Sequence, residues 1–235
     1  MEFRPDPDKN FRVILARPQS PENIGLVARA MKNTGFADLH IVQSHPLPSQ
    51  VRVTAVHAED LLEGARLCTS VEEAVSDLDV VFAAVARHRR NFPSMDLEQA
   101  LERLAELPPE SRIGLLFGNE RTGLESAELR HSNFRFTLPQ SSPQPSYNLA
   151  SAVLLTLFHV SRDAGGRGVV VSADRPLPRS EQEAGIRLIL QKLEEKRFVH
   201  AGNRRHMEER IHDLFGRFAM TPADRDLLLA IFGKK

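Results

Sequence analysis

Cysteine is almost absent from this chain: Cys68 is the only one in 235 residues. No intramolecular disulfide can form, and a cysteine-rich zinc or iron–sulfur site is excluded. A reducing, cytoplasmic setting is the expectation. There is no tryptophan and a single tyrosine, too little for a base-stacking sheet of the RRM type. No apolar run approaches the roughly 20 residues that span a bilayer, so no membrane association is expected. The formal net charge is +0, which neither requires nor forbids nucleic acid. The familiar catalytic signatures are missing too. No G-x-G-x-x-G follows the first apolar run, and there is no Walker loop, H-E-x-x-H or G-x-S-x-G. The nine histidines are scattered, and His206 and His212 are badly spaced for two ligands on one helix face. No metal site is expected.

What is present alternates between short apolar runs and helical patterns. Phe11–Ala16, Leu39–Val42, Val80–Ala86, Ile113–Phe117 and Phe134–Leu138 read as strands, with Val51–Val56 as a weaker candidate. Ser20 and Pro21 suit the N-cap and first position of a helix over Glu22–Thr34 that stops at Gly35. Further helices are predicted over Glu59–Ala65, Val71–Leu78, Asp96–Leu107 and Asn148–Val160. Strands buried on both faces and separated by helices imply an α/β fold with a mainly parallel sheet. Beyond a Gly165-Gly166-Arg167-Gly168 connector the pattern is helical only: Glu181–Lys196, Arg204–Phe215 and Pro222–Phe232. The expected division is a main domain over 1–172 and a helical extension over 173–235.

Three segments follow strand ends, where open parallel sheets bind ligands. They are Asn23-Ile-Gly-Leu-Val-Ala-Arg29, Phe117-Gly-Asn-Glu-Arg-Thr-Gly-Leu124, and Leu138 through Asn148. Singly, each has a plain structural account. Arg29 suits a solvated helix face, Gly118 and Gly123 suit turns needing positive φ, and Ser146 suits the cap of the next helix.

In their order and spacing the three segments resemble the motifs of the SpoU/TrmH branch of the SPOUT RNA 2′-O-methyltransferases, and in particular the TrmJ-type tRNA ribose methyltransferases. The tail, with FVHAGNRRHMEERIHDLF, resembles the helical extension of that type. The resemblance implies a deep trefoil knot near the end of the α/β domain, S-adenosylmethionine as methyl donor, a homodimer, and RNA as substrate, with the tRNA anticodon loop foremost. It places cofactor contacts at Ala84, Val85, Gly118, Glu120, Leu138, Ser146, Tyr147 and Asn148, and the catalytic group at Arg29, Asn23, Ser146 and Asn148. Arg29, Arg87, Arg89, Arg90 and Arg121 are the expected RNA contacts. Family members activate the ribose hydroxyl through the arginine at the position of Arg29. An arginine stays protonated in proteins, so an electrostatic and positioning role is expected instead, with Glu120 pairing to Arg29 or Arg121. Two departures stand out. Ala84-Val85-Ala86-Arg87 lacks the hydroxyl residue common before the arginine, and Tyr147 replaces a usual leucine. Ribosomal RNA as substrate, and a catalytically silent knotted RNA-binding protein, are the alternatives.

Overall fold

The computed structural model describes residues 6–43, 46–86, 93–141, 146–163, 176–216 and 220–233. In chain order these form α1 (Pro7–Asn10), β1 (Phe11–Ala16), α2 (Pro21–Thr34), β2 (Asp38–Val42), α3 (Val51–Thr54), α4 (Glu59–Glu63), β3 (Arg66–Cys68), α5 (Val71–Val75) and β4 (Val80–Ala84). They continue as β5 (Met95–Asp96), α6 (Leu97–Ala105), β6 (Ile113–Phe117), α7 (Ser126–Leu129), β7 (Phe134–Thr137), α8 (Leu149–Asp163), α9 (Arg179–Glu195), α10 (Arg204–Gly216) and α11 (Pro222–Gly233).

The seven strands form one sheet in the order β3-β2-β1-β6-β4-β7-β5, and every pairing is parallel. The alternation of side chains explains why the central strands are mostly apolar on both faces. On β1, Val13 and Leu15 join one buried cluster with α2, α6 and α8, while Ile14 and Ala16 join another with α5. Each face of the sheet is covered, so both sets of alternating positions are mainly apolar, and Arg12 on β1 is held by ion pairs to Asp38 and Asp77.

Helix α2 begins and ends as its residues dictate. The Ser20 hydroxyl accepts from the Asn23 N–H, Pro21 needs no donor at the first turn, and Gly35 takes φ 83° at the C-terminal end. The Val51–Val56 strand candidate is overturned: Val51–Thr54 is a helical turn. It lies against α2, where the Thr54 hydroxyl donates to Glu22 O at 2.9 Å. A β-carbon on Gly25 would stand 2.2 Å from Val51 O, so this packing depends on glycine. Tertiary packing has overridden a local β preference. Two short strands, β3 and β5, and the short helix α7 were not anticipated.

Helices α9 to α11 build a separate small core from Leu177, Ile186, Ile189, Ile211, Phe215 and Met220. They dock beside the starts of β4 and β7. The Arg179 and Ser180 N–H groups donate to Leu78 O and Ser76 O at 2.7 and 3.1 Å, and the Arg179 guanidinium reaches Arg130 O at 3.1 Å. That guanidinium is 2% exposed and pairs with Glu183 at 3.1 Å. His131 and His212 lie 3.9 and 3.5 Å from the same carboxylate. Burial, with Arg130, Arg179 and His212 adding to it, pushes His131 down to about 3.

Candidate active site

Parallel strands deliver their following loops to one edge of the sheet. Three such loops meet around a cleft of about 350 Å³. From the end of β4 come Ala84, Val85 and Ala86. From β6 come Phe117 and the turn from Gly118 to Gly123. From β7 come Leu138 and Gln140, and the segment leading into α8 adds Ser146, Tyr147, Leu149 and Ala152.

The turn after β6 is held by its own atoms. Asn119 Oδ1 accepts from the Arg121 and Thr122 N–H groups at 3.0 and 3.1 Å. Its Nδ2 donates to Arg17 O at 2.7 Å, tying this turn to the end of β1. Gly123 takes φ +65°, whereas Gly118 is needed for another reason. A β-carbon on Gly118 would stand 2.5 Å from backbone atoms of Gly123 and Leu124. Arg17, itself at φ 54°, braces the far side through Glu128 and Glu125 at 2.7 and 2.9 Å.

A relay of hydrogen bonds links the three segments. Asn148 Nδ2 donates to Asn23 Oδ1 at 2.9 Å, and Asn23 Nδ2 donates to Glu120 Oε1 at 2.9 Å. Its polarity is determined at both ends. Asn148 Oδ1 accepts from the Ala150 and Ser151 N–H groups at the start of α8. Glu120, an acceptor only when ionised, also takes the Gln19 and Ser20 N–H groups at 2.8 and 3.1 Å. Burial alone would raise the Glu120 pKa, yet these donors outweigh it and hold the carboxyl below its ordinary range.

The predicted site residues fall into separate groups. Ala84, Val85, Gly118, Glu120, Leu138, Ser146 and Tyr147 line the cleft, and so does Arg121, expected as an RNA contact. Asn23, 7% exposed, and Asn148 form the relay rather than the cleft wall. Asn148, not Ser146, caps α8. Arg29 is on the exposed face of α2 and has no hydrogen-bond or ion-pair partner among the described residues. The expected pairing of Glu120 with Arg29 or Arg121 is replaced by the Gln19, Ser20 and Asn23 donors, which occupy both carboxylate oxygens. Arg87, Arg89 and Arg90 lie outside the described residues, as do Gly165, Gly166 and Gly168. Sequence reasoning missed the structural parts of Arg17 and Asn119. The position of Arg17 directly after the first strand was the available signal.

Elsewhere, Cys68 Sγ lies 3.6 Å from His40 Nδ1, and His40 Nε2 lies 3.1 Å from Asp38. This order of groups mimics a thiol triad, but Cys68 is 1% exposed and burial raises its pKa. It is a buried structural thiol. Among the described residues, no group of three His, Cys, Asp or Glu side chains is placed to hold a metal ion, and no helix is long and apolar enough to cross a membrane.

An open parallel sheet with a cleft of mixed apolar and polar lining at its strand ends, and no glycine-rich dinucleotide loop, defines an α/β domain outside the Rossmann pattern. The chain belongs to the SpoU rRNA Methylase family, whose model matches residues 10–158. It is 32% identical over 241 residues to the tRNA (cytidine/uridine/adenosine-2′-O-)-methyltransferase TrmJ of Pseudomonas aeruginosa, covering 94% of this chain and 91% of that protein. A tRNA (cytidine-2′-O-)-methyltransferase TrmJ of Methanocaldococcus jannaschii is 32% identical over 154 residues, 63% of this chain and 66% of that one. The crystal structure of TrmJ from Z. mobilis ZM4 superposes with a TM-score of 0.79 at 29% identity, covering 94% of this chain and 97% of that one.

Proposed function

We propose that this chain transfers a methyl group from S-adenosylmethionine to a ribose 2′-hydroxyl of tRNA, in the anticodon loop. The observation that carries the reading is the relay from Glu120 through Asn23 to Asn148, which binds the three family segments into one site beside the cleft.

The cleft suits the cofactor. Ala84, Val85, Leu138, Leu149 and Ala152 offer an apolar wall for a nucleoside, while Glu120, Thr122 and Ser146 add polar groups. The residues that would hold it are Ala84, Val85, Gly118, Glu120, Leu138, Ser146 and Tyr147. When bound, S-adenosylmethionine supplies a methyl group already activated on a sulfonium. No protein nucleophile is then required, which agrees with the buried, inert Cys68. The chain's task is alignment, exclusion of water and stabilisation of charge. Arg29 is free to hold an RNA phosphate through its planar fork and to stabilise negative charge developing on the ribose oxygen. The relay ties the first turn of α2, the helix that carries Arg29, to the turn after β6 and the start of α8. Arg121 at the cleft, with Arg87, Arg89 and Arg90, supplies further positive charge for RNA.

A homodimer is part of the same reading. Leu26 on α2 and Leu154 and Phe158 on α8 leave 40%, 43% and 45% of their surface exposed on two helices that pack together. A second copy would cover this apolar face. The knot belongs to the reading through family membership. A main domain over 1–172 and an extension over 173–235 accord with the separate core of α9 to α11. The lone buried thiol accords with the cytoplasm.

The test is transfer of labelled methyl from S-adenosylmethionine to tRNA by the purified protein, followed by mapping of the protected ribose. Transfer to one anticodon-loop nucleotide supports the reading. Transfer to ribosomal RNA alone, or binding of RNA without transfer, would replace it.

A further inference from the structure

A second cavity, of about 290 Å³, adjoins the cleft and shares Leu138 and Tyr147 with it. The Tyr147 hydroxyl donates to Pro139 O at 2.7 Å, which fixes the ring in the partition between the two spaces. Leu97 and Leu155 give this cavity apolar walls, and His159 a second flat ring. Two carboxylates, Asp96 and Glu98, stand on its rim. The first turn of α6 holds them there: Asp96 caps the helix by accepting from the Gln99 N–H at 2.8 Å. Glu98 is exposed and has no hydrogen-bond partner among the described residues.

A methyl donor in the cleft can serve only a ribose held directly beside it. Bases of single-stranded RNA are recognised unstacked, with their faces against aromatic or apolar side chains and their edges hydrogen-bonded. The rim's negative charge disfavours the phosphate end of a nucleotide, so the base is the end that fits. Carboxylates only accept hydrogen bonds, so they suit the exocyclic amino group of cytosine or adenine and oppose the keto oxygen of uracil.

Taking ribose methylation of RNA as the reaction, we infer that this second cavity receives the base of the target nucleotide, with Glu98 and Asp96 selecting a base that carries an exocyclic amino group. Tyr147 then faces the cofactor on one side and the base on the other.

The experiment uses full-length protein and tRNA transcripts identical except for C, A or U at the methylated position. The wild type should show higher kcat/KM for C and A than for U. Glu98→Gln offers a donor as well as an acceptor, and should lower the C-to-U ratio by about tenfold. Asp96→Asn keeps a good helix cap and should move the ratio the same way. Thermal melting confirms that both variants fold, and calorimetry follows S-adenosylmethionine affinity. An equal decline for all three RNAs, or an unchanged ratio, overturns the assignment. So does a loss of S-adenosylmethionine affinity at constant ratio, which would give the cavity to the cofactor. Failure of the wild type to methylate any of the RNAs overturns the proposed function and this assignment together.

Discussion

The relay through Asn23 makes a prediction that depends on atoms rather than on fold. Asn23→Asp changes one amide group to a carboxylate oxygen without altering shape. That oxygen would replace the Nδ2 donor now 2.9 Å from Glu120 Oε1. Two carboxylates at this separation repel by about 6 kcal/mol at an effective dielectric of about 20. Protonating one of them limits the penalty. Holding a carboxyl neutral at pH 7, about three pH units above its ordinary titration, costs about 4 kcal/mol. The variant should therefore lose about 4 kcal/mol at pH 7, a fall of about 8–16 °C in Tm for a chain of this length. The deficit should shrink as pH falls towards 5. Adding Glu120→Gln should reverse it. The new amide donates to Asp at 23 and accepts from Gln19 N–H, while the aspartate still accepts from Asn148 Nδ2; the Ser20 N–H, which donates to Glu120 Oε1 at 3.1 Å, loses its acceptor. The double variant should regain stability to within about 2 kcal/mol of wild type. Chemical denaturation of all four proteins at pH 7 and pH 5 is the assay. An Asn23→Asp variant as stable as wild type, or a double variant no better than Asn23→Asp alone, refutes the relay.

Arg29→Ala should leave stability within about 0.5 kcal/mol, since the side chain has no partner among the described residues, but should lower single-turnover methyl transfer by about a hundredfold or more; near-normal transfer would remove Arg29 from the mechanism. Gly118→Ala drives a methyl into the Gly123–Leu124 backbone; a loss of about 1–3 kcal/mol is expected, together with S-adenosylmethionine affinity, and calorimetry showing intact binding would speak against the turn as the cofactor's cradle. His131 titrates at about 3 when folded, below its ordinary 6.5. The unfolded chain therefore binds the extra proton first, so this contribution to stability is complete above about pH 6.5 and is lost as pH falls towards 3. His131→Gln should flatten the pH dependence of urea unfolding across that window, and an unchanged slope would contradict the buried neutral imidazole.

Much of this architecture was legible because of simple periodicities. Ile113–Phe117 and, apart from Arg12, Phe11–Ala16 are apolar on both faces, as a covered parallel strand requires. Ser20, Pro21 and Gly35 marked the limits of α2 because each satisfies or omits a particular backbone group. The short strands β3 and β5 carry no such pattern. They lie at the sheet's edges, where Arg66 and Leu67 are exposed. Val51 misled because valine favours strands, whereas its packing partner here is Gly25. At the site, the segments were legible but their connections were not. Glu120 carries a charge, and a charge in a sequence suggests an arginine partner. Its actual partners include two backbone N–H groups and the amide of Asn23, none of which a sequence displays as a complement. Arg17 was overlooked because its positive φ and its ion pairs to Glu125 and Glu128 arise only once β1 and β6 are neighbours.

That adjacency has a kinetic consequence. Phe11 pairs with Ile113, so the strand made first must wait for one synthesised much later before its second edge is filled. Until then, β1 can pair only with β2, and a newly made chain leaves an apolar strand with one open edge. Closing so distant a contact pays its loop entropy before the cleft or the relay returns any stabilisation. Its vulnerability to aggregation should therefore peak during synthesis, in the interval before Ile113–Phe117 is in place.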